Sequence, residues 1–161
     1  MENITILIFT DGSCWPNPNG DMGLGVVCYE AVNFSIENSN SREIKSSYDS
    51  IKEIHTIQKK IKFGTQHYSK TSNNMAEHCA LQEAFVFIHT KQNTKFIVFS
   101  DSEIMVKQMR KEYGINPKLA YAYPALQNTK MLKEETELGK EIEFVWIPRE
   151  FNQKADYLSK L

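Results

Sequence analysis

The sequence predicts an α/β fold, and three observations carry that expectation. The chain opens on a nearly continuous apolar run over residues 3–10, the pattern of a strand buried on both faces. More apolar runs follow at Leu24–Tyr29 and Phe63–Ser69, with turn residues between the first two. Beyond residue 72, short apolar runs alternate with stretches of helical spacing. The order is roughly βββαβαβα, a meander followed by strand–helix alternation.

The elements follow in order. The first strand runs into Asp11, and Gly12-Ser13-Cys14 begins a turn. Pro16-Asn17-Pro18-Asn19-Gly20 continues that turn before the second strand, because Pro, Asn and Gly supply the dihedrals that turns need. Phe63 to Ser69 predicts a third strand. From Asn74 to about His89, Met75, Cys79, Ala80, Ala84, Phe87 and Ile88 recur at helical intervals. Lys95–Ser100 is a strand, and Ser102 to Lys111 a helix stopped near Gly114. Pro117 to Leu138 is helical in its second half, Ile142–Ile147 is a strand, and a short helix starts at Asn152 or Gln153. Between the second and third strands, residues 33–62 form an insertion. There Ile44, Tyr48, Ile51, Ile54, Ile57 and Ile61 predict an amphipathic helix with Lys45, Lys52, Lys59, Lys60 and Lys62 on its outer face. Without a repeat or linker, residues 1–161 read as one domain.

At 161 residues, the chain is long enough to bury about two-thirds of its unfolded surface. A formal net charge of −1 provides no global positive field. A nucleic-acid site must therefore be local, or depend on bound metal to offset phosphate charge. Cys14, Cys28 and Cys79 show no metal-ligand spacing and read as reduced thiols of a cytoplasmic protein. There is no basic-then-apolar leader and no apolar run of about 18 residues, so neither secretion nor membrane spanning is expected.

Four carboxylates stand out: Asp11 and Asp101 at the ends of apolar strands, Glu77 after the cap signal Ser72-Asn73-Asn74, and Asp156 near the last helix. A strand running into Asp is a costly place for charge unless something balances it. Two strand ends and two helix-borne acids make a set of hard oxygen donors suited to a pair of divalent cations.

Phe9-Thr10-Asp11-Gly12-Ser13-Cys14 with Asn17-Pro18, Thr71-Ser72-Asn73-Asn74-Met75-Ala76-Glu77, Ser100-Asp101-Ser102-Glu103 with Val106, and Asn152-x-x-Ala155-Asp156 together resemble the four ordered motifs of type I ribonuclease H. The resemblance implies a five-stranded mixed sheet, a three-stranded antiparallel meander plus two parallel strands. It implies cleavage of RNA paired to DNA with two Mg²⁺ ions, Mn²⁺ being a substitute. Asp11, Glu77, Asp101 and Asp156 are then metal ligands, with Asp11 bridging. Gly12, Ser13, Cys14, Asn17, Asn73, Asn74, Ser102 and Asn152 are substrate contacts, of which Asn17, Asn73 and Asn74 meet the backbone or minor groove of the hybrid. The expected form is a monomer.

Three departures from the family pattern stand beside this. No histidine precedes Asp156 in its loop, which instead reads Pro148-Arg149-Glu150, similar to archaeal and plant-type members. The Lys- and Trp-rich handle is missing between Gly114 and Leu126, and the 33–62 insertion has no counterpart. Arg149 is either a catalytic phosphate contact or a surface partner of Glu150. Asn73 and Asn74 are either substrate contacts or helix caps. Another nuclease or integrase of the superfamily, or a hybrid-binding module without strong catalysis, remains as an alternative.

Overall fold

The computed structural model describes residues 3–36, 46–47, 50–65, 68–93 and 95–161. Its centre is a five-stranded mixed sheet built from β1 (Ile4–Trp15), β2 (Asp21–Val32), β3 (Ser50–Ile61), β4 (Lys95–Ser100) and β5 (Glu141–Trp146). The spatial order is β3-β2-β1-β4-β5. β1 pairs antiparallel with β2 from Ile4↔Val32 to Trp15↔Asp21, and β2 pairs antiparallel with β3. β1 and β4 run parallel, as do β4 and β5. The meander and the two parallel strands are those expected.

Helices cover both faces. On one lie α1 (Asn73–Thr90), α2 (Glu103–Met109) and α3 (Ala122–Glu137), over a core that includes Ile6, Ile8, Leu24, Val26, Leu81 and Phe85. Serines cap two of these helices: Ser72 Oγ accepts from Met75 N–H at 3.1 Å, and Ser102 Oγ from Met105 N–H at 3.3 Å, the usual relief for unpaired first-turn donors. His78 ties the three together, 2.7 Å from Gln108 Oε1, while Asn128 Nδ2 donates to the His78 carbonyl at 2.9 Å. Burial lowers its imidazole below the usual range, against the pull of Gln108, so it serves the core as a neutral ring. On the opposite face, α4 (Gln153–Ser159) lies across β1 and β2.

Three expectations about the chain before α1 require correction. The third strand is not Phe63–Ser69: residues 63–65 turn, and residues 66–67 lie outside the described chain. It is Ser50–Ile61, the stretch whose isoleucines predict a helix. The cause is a bulge opposite Cys28/Tyr29, where Glu53 pairs with Tyr29 and His55 with Cys28, leaving Ile54 as the extra residue. A bulge puts an odd spacing onto one face of a strand. Ile54, Ile57 and Ile61 therefore all pack towards α1, mimicking helical intervals. The rest of the proposed insertion helix falls largely outside the described residues, apart from a two-residue antiparallel pairing of Ser35–Ile36 with Ser46–Ser47. Nor does β1 turn after Asp11; it remains a strand through Trp15.

α4 can approach the sheet only because β2 has no side chain at two positions on that face. A Cβ on Gly23 would lie 1.7 Å from the Ser159 carbonyl oxygen, and one on Gly25 would lie 2.3 Å from that of Ala155. Gly23→Ala should therefore destabilise the fold by about 1–3 kcal/mol, the usual penalty for overpacking, in urea denaturation. Gly114→Ala, whose Cβ meets nothing within 4 Å, should change stability by under about 0.5 kcal/mol.

Candidate active site

The parallel register sets the site. Thr10 lies beside Ser100, so the residues that follow, Asp11 within β1 and Asp101 just past the end of β4, emerge side by side. α1 brings the third acid. Gly12 lets its N-terminus press against β1, since a Cβ there would sit 2.2 Å from the Ala76 carbonyl. Gly12 N–H then donates to Glu77 Oε1 at 2.6 Å. One oxygen from each of Asp11, Glu77 and Asp101 lies within 4.8 Å of the others.

These acids are held by neutral donors. Ser100 Oγ donates to Glu77 Oε2 at 3.2 Å, and Ser159 Oγ donates to Asp11 Oδ2 at 3.1 Å. Among the described residues, no Lys or Arg forms an ion pair with any of the three. Their proton affinities follow from that. Burial, with a smaller push from Asp101 and Asp156, raises Asp11 to about 7 despite a hydrogen bond with Glu77. Burial and then the charge of Asp11 hold Glu77 well above the carboxylate range. Burial also raises Asp101, with Arg149 pulling the other way. Like charges this close cannot all ionise cheaply. An oxygen-only donor set with unbalanced charge fits a hard divalent cation such as Mg²⁺.

Asp156 stands beside this trio in a different state. Arg149 Nη2 lies 3.3 Å and Lys160 Nζ 3.0 Å from its Oδ1. Burial would raise it, but Lys160 and Arg149 outweigh that and keep it below the usual range. Arg149 thus has Asp156, and not Glu150, as its ion-pair partner. An open groove of about 920 Å³ runs past all four acids, and Gly12, Ser13, Cys14, Asn73, Asn74, Ser102 and Arg149 line it.

Two of the expected substrate contacts lie elsewhere. Asn152 is buried, and its Nδ2 donates to the Thr10 carbonyl at 2.8 Å, so it anchors the end of β1 and does not face the groove. Asn17 is exposed and is not among the residues that line the groove: its Oδ1 accepts from Asn73 N–H at 3.0 Å, and Asn73 Oδ1 accepts from Cys14 N–H at 2.9 Å. Ser72, not either asparagine, caps α1 with its side chain. Ser159, Ser100 and Lys160 escaped the sequence. Ser159 and Lys160 follow Asp156 by three and four residues on α4, a helical spacing that could have flagged both. Ser100 carries no comparable signal.

A family model described as reverse transcriptase-like matches residues 58–161. Among solved structures, LC11-RNase H1, isolated from compost by a metagenomic approach, is 27% identical with a TM-score of 0.69, the match covering 97% of this chain and 93% of that one. A second structure of LC11-RNase H1, in complex with an RNA/DNA hybrid, is 26% identical at a TM-score of 0.68, over 96% and 94%. RNase H1 from the halophilic archaeon Halobacterium salinarum NRC-1 is 17% identical at a TM-score of 0.68, over 97% and 95%, a likeness of fold.

The raised acids make a stability prediction for metal-free protein. Folded Asp11 binds its proton more tightly than unfolded Asp11, so its stabilising share is present below its ordinary 3.8 and is lost as pH rises to about 7. Asp11→Asn removes that loss. At pH 8 in chelator the variant should be more stable than the unsubstituted protein by one to a few kcal/mol, at about 1.4 kcal/mol per tenfold change in proton affinity. The gap should close towards pH 4 in denaturant titrations. A gap that stays constant with pH would mean that the Asp11 charge is not strained.

Proposed function

The chain belongs to the reverse transcriptase-like family and has the fold of the RNase H1 structures that it resembles; from that premise we propose that it is an endoribonuclease that hydrolyses the RNA strand of RNA–DNA hybrids. The observation that carries this reading is the convergence of Asp11, Glu77 and Asp101 within 4.8 Å, in an open groove that Asp156 also lines. The hybrid bound by LC11-RNase H1 supports the substrate class. Pro148-Arg149-Glu150 supports placement with the archaeal and plant-type members, and the proposal takes the chain as a monomeric single domain.

Two Mg²⁺ ions, or Mn²⁺ in their place, held by Asp11, Glu77, Asp101 and Asp156 would supply an activated water and neutralise charge on the scissile phosphate. The protein's own residues prepare that event. Asp11, aimed by Ser159, and Glu77, aimed by Gly12 and Ser100, hold fixed positions before substrate arrives, which removes reorganisation from the chemical step. Arg149 is mostly exposed and pairs with Asp156 only through Nη2, so its planar fork can also hold the scissile or product phosphate. Asn73 spends its carbonyl oxygen on Cys14, leaving the side-chain NH₂ to donate to a 2′-hydroxyl, with Asn74 beside it in the groove. Such hydroxyls, displayed across a shallow minor groove, are what separates RNA from DNA.

No helix among the described residues is long and apolar enough to cross a membrane. The buried thiols of Cys14, Cys28 and Cys79 are unpaired, in keeping with a reducing cytoplasm.

Purified protein should release labelled fragments from the RNA strand of a hybrid in Mg²⁺ and none in chelator. An all-DNA duplex should survive. Asp101→Asn should slow turnover by about a hundredfold or more, Arg149→Ala by about ten- to a thousandfold, with Arg149→Lys recovering part. An uncut hybrid under these conditions would refute the proposed activity.

A further inference from the structure

We propose that Trp15 is a substrate-positioning residue, which packs against a nucleotide of the bound hybrid a few residues from the cut and so sets affinity but not chemistry. This rests on the proposed hybrid-nuclease reading and adds to it a contact that no motif assigned. Three observations carry it. At 84% exposed, Trp15 is more exposed than any other large hydrophobic side chain among the described residues. It lines the same groove as the carboxylates. It also shares a face of β1 with Asp11 and Ser13, because side chains in a strand alternate with period two and Trp15 lies four residues beyond Asp11. That separation is about 13 Å at about 3.3 Å per residue, a few nucleotides along a duplex.

The indole is held on a rigid mount. The turn after Trp15 is so tight that a Cβ at Gly20 would come within 2.1 Å of the Trp15 carbonyl. The turn is tied to the segment before α1 at several points. Thr71 Oγ1 donates to the Gly20 carbonyl at 2.6 Å, Asn19 N–H to the Thr71 carbonyl at 2.9 Å, and Thr71 N–H to Asn19 Oδ1 at 3.2 Å. A neighbouring tie runs from Asn73 N–H to Asn17 Oδ1. Trp15 and Asn73 are thereby fixed relative to one another on one groove wall. Lys60, which also lines the groove, brings positive charge for a phosphate. A large ring kept out of the core on an ordered turn, beside a cation and an amide, is the arrangement that nucleic-acid sites use to stack on bases or pack on sugars. Because the turn is already ordered, contact is gained with little loss of conformational freedom.

The test compares the unsubstituted protein with Trp15→Ala and Trp15→Phe, the latter two first checked to melt within about 2 °C of the first, as exposed replacements should. In steady-state cleavage of hybrid, Trp15→Ala should raise KM about ten- to a hundredfold with kcat unchanged within about twofold, and Trp15→Phe should recover most of the loss. In chelator, where no cleavage occurs, binding of the same hybrid measured by anisotropy should weaken by the same factor in Trp15→Ala. The tryptophan emission that changes on binding should be missing from that variant, leaving only Trp146 to report. Equal KM and equal binding in Trp15→Ala would overturn this inference and leave the nuclease reading intact. Hybrid binding that needs Trp15, in a protein that never cleaves, would overturn the nuclease reading and keep the contact. Absence of hybrid binding by the unsubstituted protein would overturn both, and an equal fall in kcat would mean that Trp15 shapes the site and does not contact substrate.

Discussion

Two buried carboxylates, Asp11 and Glu77, with the half-buried Asp101 beside them, are the constraint on which the rest of the structure depends. Burying one unpaired carboxylate is expensive, and burying two with a third close by is more so. The fold achieves it by geometry. The Thr10↔Ser100 register places Asp11, within β1, beside Asp101, just past the end of β4, and the bare backbone at Gly12 admits the helix that carries Glu77. The donors that steady them are a backbone amide and two serine hydroxyls. None of these neutralises charge. The strain is retained in the folded state as raised proton affinity, and the extensive core beneath the sheet must offset it. On the proposed reading, this is the strain that a divalent cation relieves.

The fourth acid shows a different compromise. Asp156 rides on α4, close enough to raise Asp11, yet it is kept ionised by Arg149 and Lys160. A cation bound by all four acids would compete with those two basic groups for Asp156. Arg149 released from Asp156 is then available to phosphate. The glycines under α4 matter for the same reason, because they set how deeply the helix sits and hence where Asp156 points.

Much of this was legible in the chain. Asp11, Glu77 and Asp101 announce themselves because each lies in a local pattern that short-range physics enforces: an apolar run ending in Asp, or a serine cap followed by Glu. Four of the five strands followed from apolar runs, and the five-stranded mixed sheet from the family resemblance. What failed were features that depend on partners distant in sequence. A bulge opposite β2 puts Ile54, Ile57 and Ile61 on one face of β3, although their spacing reads as a helix. Arg149 found Asp156 across the loop, although Glu150 is its neighbour in sequence. Asn152 matched a motif and proved to be a buried tether to Thr10. Ser100, seen in sequence only as the residue before Asp101, bonds to Glu77 on a helix begun 27 residues earlier.

The central claim is that the carboxylate cluster holds protons only in place of a cation. Calorimetric titration of metal-free protein with Mg²⁺ at pH 6.5, in two buffers of unequal ionisation enthalpy, tests it most directly. The account predicts saturable binding whose heat differs between the buffers, corresponding to release of about one proton or more per ion. The release should shrink at pH 9, and binding should weaken sharply in Asp11→Asn. Equal heats in both buffers, or undiminished binding by Asp11→Asn, would contradict it.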